Sequence, residues 1–179
     1  LGDETAPVLL SPMACILGSI WAMGHGTMLV ADFMERQVVT LDVGERLDVA
    51  DAVMRLGRIR HLPVVDQDRL VGVLSQRDLF RAAASSQLEL AAEQNRAELA
   101  RIRVAEVMVP DPVTIAPEDN IRYAADLMLI HRIGCLPVVR GRALVGLLSE
   151  SDCLRVLTAV LAYREGVADA ARGLRLAAS

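Results

Sequence analysis

The sequence predicts an α+β protein made of two β-α-β-β-α units, related by a pseudo-twofold axis and joined by a helical linker. Three observations carry this expectation. Sliding the chain against itself by 74 residues aligns Val30–Ala82 with Val104–Val156 without a gap, and 20 of the 53 aligned positions are identical. Within each copy, apolar runs bounded by polar turns alternate with stretches of helical periodicity. Two copies are too few for a solenoid, so the units must bury their apolar faces on each other.

Residues 1–29 precede the repeat. Their apolar stretch from Pro7 to Gly24, PVLLSPMACILGSIWAMG, is interrupted by Pro12 and has no basic flank, which makes a poor membrane span and a poor signal peptide. It reads as a segment that packs on the body of the protein or on a partner. Unit 1 (30–84) starts with a short strand at Val38-Val39-Thr40-Leu41. Leu47, Ala50, Val53 and Met54 then fall on one helical face, and the runs LPVVD and LVGVLS flank the polar turn Gln67-Asp68-Arg69 as a hairpin. A closing helix starts near Ser75. The linker (85–103) spaces Leu88, Ala92, Leu99 and Ile102 among Glu and Arg, as a helix and not a flexible tether.

Unit 2 (104–158) repeats the order. Pro112-Val113-Thr114-Ile115 is its first strand, Pro117-Glu118-Asp119 starts a helix, and Ile121, Ala124, Ala125 and Met128 mark its apolar face. LPVVR and LVGLLS flank Gly141-Arg142-Ala143, and the closing helix starts near Ser149. Residues 159–179 belong to a C-terminal helix with an Ala-rich face, read from Leu154 to Leu176.

Composition narrows the function. Hydrophobic residues make up 53% and aromatics 3%, so the core is aliphatic. A net charge of -4 supplies no surplus cation to displace counterions from a phosphate backbone, which argues against a nucleic-acid partner. Cys15, Cys135 and Cys153 are odd in number and lack C-x-x-C spacing, which suits a reduced cytoplasm better than a disulfide framework or a zinc site. His131 and Cys135 are four apart, but Pro137 follows and Cys135 reads as the start of a strand, so no metal site is expected. The chain has no G-x-S-x-G elbow, no phosphate-binding G-x-x-x-x-G-K-[ST] loop, no H-E-x-x-H and no Cys with a His at a known catalytic spacing. No enzyme is expected, and Glu150 reads as part of a capping turn and not as a base.

LVGVLSQRD and LVGLLSESD, Leu70–Asp78 and Leu144–Asp152, are the most telling stretches. Ser75 or Ser149 accepting from a helical amide, with Asp78 or Asp152 reaching back, is a capping box. The same turn leaves free amides beside a hydroxyl and a carboxylate, which suits a phosphate and a ribose diol. Gly72 and Gly146 sit mid-strand, where close approach of a backbone or of a ligand compensates for a weakened sheet. The residues alone leave cap and ligand site both open.

M-x5-T at the first strand, R-I-x-x-L-P-V-V at the second and G-h-h-S-x-x-D after the third (h, apolar), each present twice between about residue 30 and 156, resemble the cystathionine β-synthase (CBS) domain, and the two copies resemble a CBS pair. The resemblance implies a disc with two clefts that bind an adenine nucleotide (AMP, ADP or ATP) or S-adenosylmethionine as a regulatory ligand, with no cofactor required. It implies that Asp78 and Asp152 hold ribose hydroxyls, that Ser75 and Ser149 lie near phosphate, that Thr40 and Thr114 line the clefts, and that Leu62-Pro63 and Leu136-Pro137 flank adenine. Arg60-His61 stands where the second copy has Gly134-Cys135. By the family's logic the cleft at Asp152, faced by Arg60 and His61, is the better equipped, and the other relies on Arg77. The expected partners are a second copy of the chain and a separate regulated protein. The alternative is a ligand-free assembly protein whose value lies in its dimer surface.

Overall fold

Each apolar run becomes a strand because it is flanked by residues that turn the chain. In a computed structural model, which describes residues 27–85 and 92–177, β2 (His61–Asp66) and β3 (Arg69–Ser75) form one antiparallel hairpin, and β5 (Cys135–Arg140) and β6 (Ala143–Ser149) form the other. Gln67 and Asp68 both take positive φ, 47° and 64°, as a two-residue loop matched to the strand twist requires. Each hairpin carries a register shift at the same place, between Val64 and Val65 and between Val138 and Val139. The hairpins meet at Arg69 and Ala143, and with the short strand β1 (Leu41–Asp42) the sheet order is β1-β2-β3-β6-β5.

The helices cover this sheet with the faces their periodicity marks. In α1 (Leu47–Gly57) the buried residues are Leu47, Ala50 and Met54; in α5 (Ile121–His131) they are Ile121, Ala124 and Met128. Both helices end on an arginine in the left-handed region, Arg58 and Arg132, and the following Ile59 and Ile133 amides donate to the Met54 and Met128 carbonyls. The repeated Arg-Ile pair is therefore a helix stop. Asn120 caps α5 by accepting from the Arg122 amide at 2.7 Å, while Asp119, read as part of the helix start, accepts from the Ala116 amide at 2.8 Å one turn earlier. The remaining helices are α2 (Gln76–Ser85), α3 (Ala92–Leu99), α4 (Val104–Val107) and α6 (Glu150–Ala177).

Two expectations need correction. The first strands are shorter than the apolar residues suggest: β1 is only Leu41–Asp42, parallel to β2, and in unit 2 Ile115 makes a single parallel bridge to Val138. Val39 is 51% exposed, so β propensity at 38–40 finds no strand beside it. The closing helix of unit 2 and the C-terminal helix are one uninterrupted element, α6, since no Gly or Pro near 158 breaks the pattern. The linker helix is Ala92–Leu99; Leu88 and the stretch from Pro7 to Gly24 lie outside the described residues.

The two units also exchange their leading segments. Val30 and Met34 pack in the core of unit 2 with Ile115, Met128 and Leu148, whereas Leu99 and Val104 pack in the core of unit 1 with Leu41, Met54 and Leu74. Backbone bonds follow: the Val30 amide donates to the Asp119 carbonyl and Ile121 to Met28, while Val104 donates to Glu45 and Leu47 to Ile102. Glu35 and Leu147 exchange two bonds at 2.9 Å, and the matching residues of the second copy form β4 (Val109–Pro110) against β3. This explains the mid-strand glycines. A Cβ on Gly72 would lie 2.5 Å from Met108 Sδ and 3.0 Å from the Val109 carbonyl; on Gly146, 2.5 Å from Met34 Sδ and 3.1 Å from the Glu35 carbonyl. Backbone of the opposite leading segment, and not a ligand, fills the space.

Candidate functional site

Each S-x-x-D turn joins the last residue of a strand to the first turn of a helix. The Ser75 amide and hydroxyl donate to Asp78 Oδ2 at 2.9 and 2.5 Å, and the Asp78 amide donates back to Ser75 Oγ at 3.3 Å. In the second turn the Ser149 amide and hydroxyl donate to Asp152 Oδ2 at 2.8 and 2.5 Å. The reciprocal capping box is complete in the first turn, and the second shows its carboxylate-to-serine half. Both carboxylates are 15% exposed, and their second oxygens differ: Arg155 Nη1 lies 2.6 Å from Asp152 Oδ1, while Arg81 Nη1 is 4.0 Å from Asp78 Oδ1.

The turns are stitched to the strand starts. The Gln76 amide donates to the Arg60 carbonyl at 2.8 Å and the Glu150 amide to the Gly134 carbonyl at 3.1 Å, while His61 pairs with Ser75 and Cys135 with Ser149 across the hairpins. The His61 imidazole crosses to unit 2. A Cβ on Gly134 would lie 2.9 Å from His61 Cε1, and Glu150 Oε2 is 3.5 Å from the same point. Burial and the Arg60 guanidinium hold His61 below its ordinary value, Glu150 and Asp78 oppose this, and Arg77 adds to it. Burial pushes the Cys135 thiol up to about 12, and burial with Asp152 raises Cys153, so neither is a ready nucleophile.

Two segments of this chain, residues 30–85 and 104–159, match the CBS domain. The chain belongs to the CBS domain family. A CBS domain-containing protein of Dictyostelium discoideum is 36% identical over 137 residues, which cover 75% of this chain and 94% of that protein. The crystal structure of AcuB from Vibrio cholerae superposes with a TM-score of 0.65 at 34% identity, covering 78% of this chain and 97% of that one. CBSX2, solved in complex with AMP, gives a TM-score of 0.62 at 26% identity over 75% of this chain and 97% of its own. The chain spans 46% of the length of the Methanocaldococcus jannaschii protein MJ1225, to which it is 33% identical over 130 residues.

Within this CBS pair the predicted residues fall into three groups. Ser75, Asp78, Ser149 and Asp152 sit together at the two turns, with His61 against the second. Arg60 and Arg77 are exposed and act on His61, and Thr40 and Thr114 are exposed. Leu62, Pro63, Leu136 and Pro137 are fully buried, so in this conformation their side chains belong to the body of the fold. Gly134 and Glu150 were absent from the predicted set; the signal for Gly134 was a glycine standing opposite Arg60 in the repeat. His131 ends α5 and Cys135 opens β5, with the left-handed Arg132 between them, and no metal-binding cluster occurs among the described residues. None of the predicted residues lines the open cavity formed by Asp66, Arg69, Leu70, Val71, Asp111 and Arg142, where the hairpin tips meet. No helix among the described residues is long and apolar enough to cross a membrane.

Proposed function

We propose that this CBS pair is a regulatory module: an adenine nucleotide or S-adenosylmethionine binds in the clefts between the units, and occupancy is read by a partner protein. One observation carries the reading. Both turns keep a hydroxyl and a part-buried carboxylate beside the amides of a helix start, with Arg60, Arg77 and His61 around them. A cap alone needs no cations nearby. CBSX2, a family member covered over nearly its whole length, is a complex with AMP, which supports the ligand class.

In this reading Asp152 holds the ribose of the tighter-bound ligand, Arg60 and His61 face its phosphate, and the cleft at Asp78 depends on Arg77. A bound ligand touches both units and so shifts the balance between their arrangements. We assign the protein no reaction of its own, and its free thiols suit the cytoplasm.

A second reading, assembly through a homodimer, has its own observation. Leu154, Leu157 and Leu161 run down one face of α6 at 60%, 52% and 47% exposure, and Leu129 and Ile130 of α5 stand at 77% and 73%. An isologous contact between two copies would cover them. The two readings are compatible, and a thermal-shift panel decides whether the first holds. Ligand at a hundredfold its Kd stabilises by about 2.7 kcal/mol, which raises Tm by roughly 5–10 °C in a protein of this size. We expect that rise with AMP, ADP, ATP or S-adenosylmethionine and none with cyclic dinucleotides. A flat panel at millimolar concentration would leave assembly as the function.

A further inference from the structure

Arg60 and His61 align with Gly134 and Cys135, and these four residues break the symmetry of the pair. Cys135 is buried in its strand, whereas His61 projects into the other unit and lies on Gly134. Gly134 does not have a positive φ; among the described glycines only Gly141 does. Backbone conformation therefore does not call for glycine there. Space favours it: a Cβ would stand 2.9 Å from His61 Cε1 and 3.0 Å from Nε2, so a larger residue at 134 requires the ring to move.

The charged groups facing this imidazole come from both units. Arg60 precedes it just ahead of β2, Arg77 and Asp78 belong to α2, and Glu150 opens α6 beside Ser149. Two cations and two carboxylates act on this half-buried ring, with Asp78 and Glu150 drawn one from each S-x-x-D turn. Without ligand the balance favours the neutral imidazole, because burial and Arg60 outweigh the carboxylates. A phosphate arriving beside the ring adds roughly two negative charges and reverses that balance.

We propose that Gly134 is a positioning residue for His61, and that this inter-unit imidazole couples the turns through a proton: a phosphate-bearing ligand entering at the Asp152 turn binds with uptake of one proton from solvent at His61. The inference rests on the reading that the clefts take such a ligand. It makes the module report pH together with ligand concentration. Where a full proton is taken up, affinity gains up to about tenfold per unit fall in pH. The ligand's own phosphate, with a second pKa of about 6, pulls the other way, so the His61 contribution is the difference between wild type and His61→Gln.

The test uses the full chain, with AMP as the probe and adenosine as the phosphate-free control. The ring signals of His61, assigned by their loss in His61→Gln, are titrated by NMR with and without saturating AMP, and AMP affinity is measured calorimetrically between pH 5.5 and 8. We expect AMP to raise the His61 midpoint and adenosine to leave it in place. We expect His61→Gln to remove several-fold of the affinity gained on acidification, and Gly134→Ala to displace the ring, returning its midpoint toward the ordinary value and flattening the same slope. AMP that binds without moving the His61 midpoint, or a pH slope unchanged in His61→Gln, overturns the coupling while leaving the functional reading intact. Absence of AMP binding overturns both. A Gly134→Ala protein whose His61 midpoint equals that of wild type overturns the positioning role, and if that variant fails to fold, the His61→Gln slope still decides the coupling.

Discussion

Gly146→Ala puts the exchange of leading segments under direct strain. The added methyl would stand 2.5 Å from Met34 Sδ, 3.0 Å from Met34 Cγ and 3.1 Å from the Glu35 carbonyl oxygen. A thioether can swing aside; the carbonyl cannot, because Glu35 is tied to Leu147 by two bonds at 2.9 Å. Either the segment shifts and both bonds lengthen, at about 0.5–1.5 kcal/mol each, or β6 distorts, and overpacking of this kind costs about 1–3 kcal/mol. The expected loss is thus about 1–3 kcal/mol, or roughly 2–12 °C in Tm. Gly72→Ala should behave alike, since Met108 and the Val109 carbonyl stand in the same places. Gly57→Ala is the control: it meets only the Ile59 side chain at 3.4 Å or more and should be neutral or stabilising. Urea melts followed by circular dichroism give the free energies, and hydrogen exchange at the Glu35 amide reports the segment itself. A Gly146→Ala protein as stable as wild type, with Glu35 equally protected, would show that the leading segment does not cover unit 2 as described.

Three further outcomes follow from the same geometry. His61 has a lower value folded than unfolded, so in the window just below pH 6.5 the unfolded chain binds the extra proton; stability should fall as pH drops through that window, and a Tm against pH curve for His61→Gln should lack this component. Asp78→Ala and Asp152→Ala each remove a capping carboxylate and should each cost about 1 kcal/mol by denaturant melting; a cost near zero for both would mean the boxes are ornamental. Leu157→Glu with Leu161→Glu, on the exposed face of α6, should convert a dimer to a well-folded monomer by light scattering, and a wild type that is monomeric at micromolar concentration would remove the dimer.

The hairpins were legible because a buried antiparallel pair needs only two apolar runs and a turn, and LPVVD with LVGVLS supplies both locally. The helix faces were legible for the same reason. The exchange of segments was not, because it joins residues far apart in the chain, such as Met34 with Gly146 and Met108 with Gly72, and no local period encodes such a contact. Its trace was nonetheless in the repeat: Met34 with Met108 and Gly72 with Gly146 are identical pairs, each methionine serving the other unit's glycine. The overlong first strands came from reading β propensity at Val38 and Val39 without asking which strand would pair with them. At the candidate site, the hydrogen-bonded turns Ser75–Asp78 and Ser149–Asp152 were legible from their spacing. The resemblance set His61 toward the Asp152 turn; its seat on Gly134 depends on what Gly134 lacks, and an absent side chain shows in a sequence only against its repeat partner.

Whether the turns hold a ligand is tested most directly by calorimetric titration of AMP and S-adenosylmethionine into wild type, Asp152→Ala, Arg60→Ala and Asp78→Ala. A charge-assisted bond in a part-buried cleft contributes about 1.5–3 kcal/mol, or roughly ten- to a hundredfold in affinity. The tighter site should weaken by that factor or vanish in Asp152→Ala and in Arg60→Ala, and persist in Asp78→Ala. Binding that survives Asp152→Ala but is lost in Asp78→Ala would reverse the order of the clefts, and the absence of heat from either ligand in wild type would contradict the sensing function altogether.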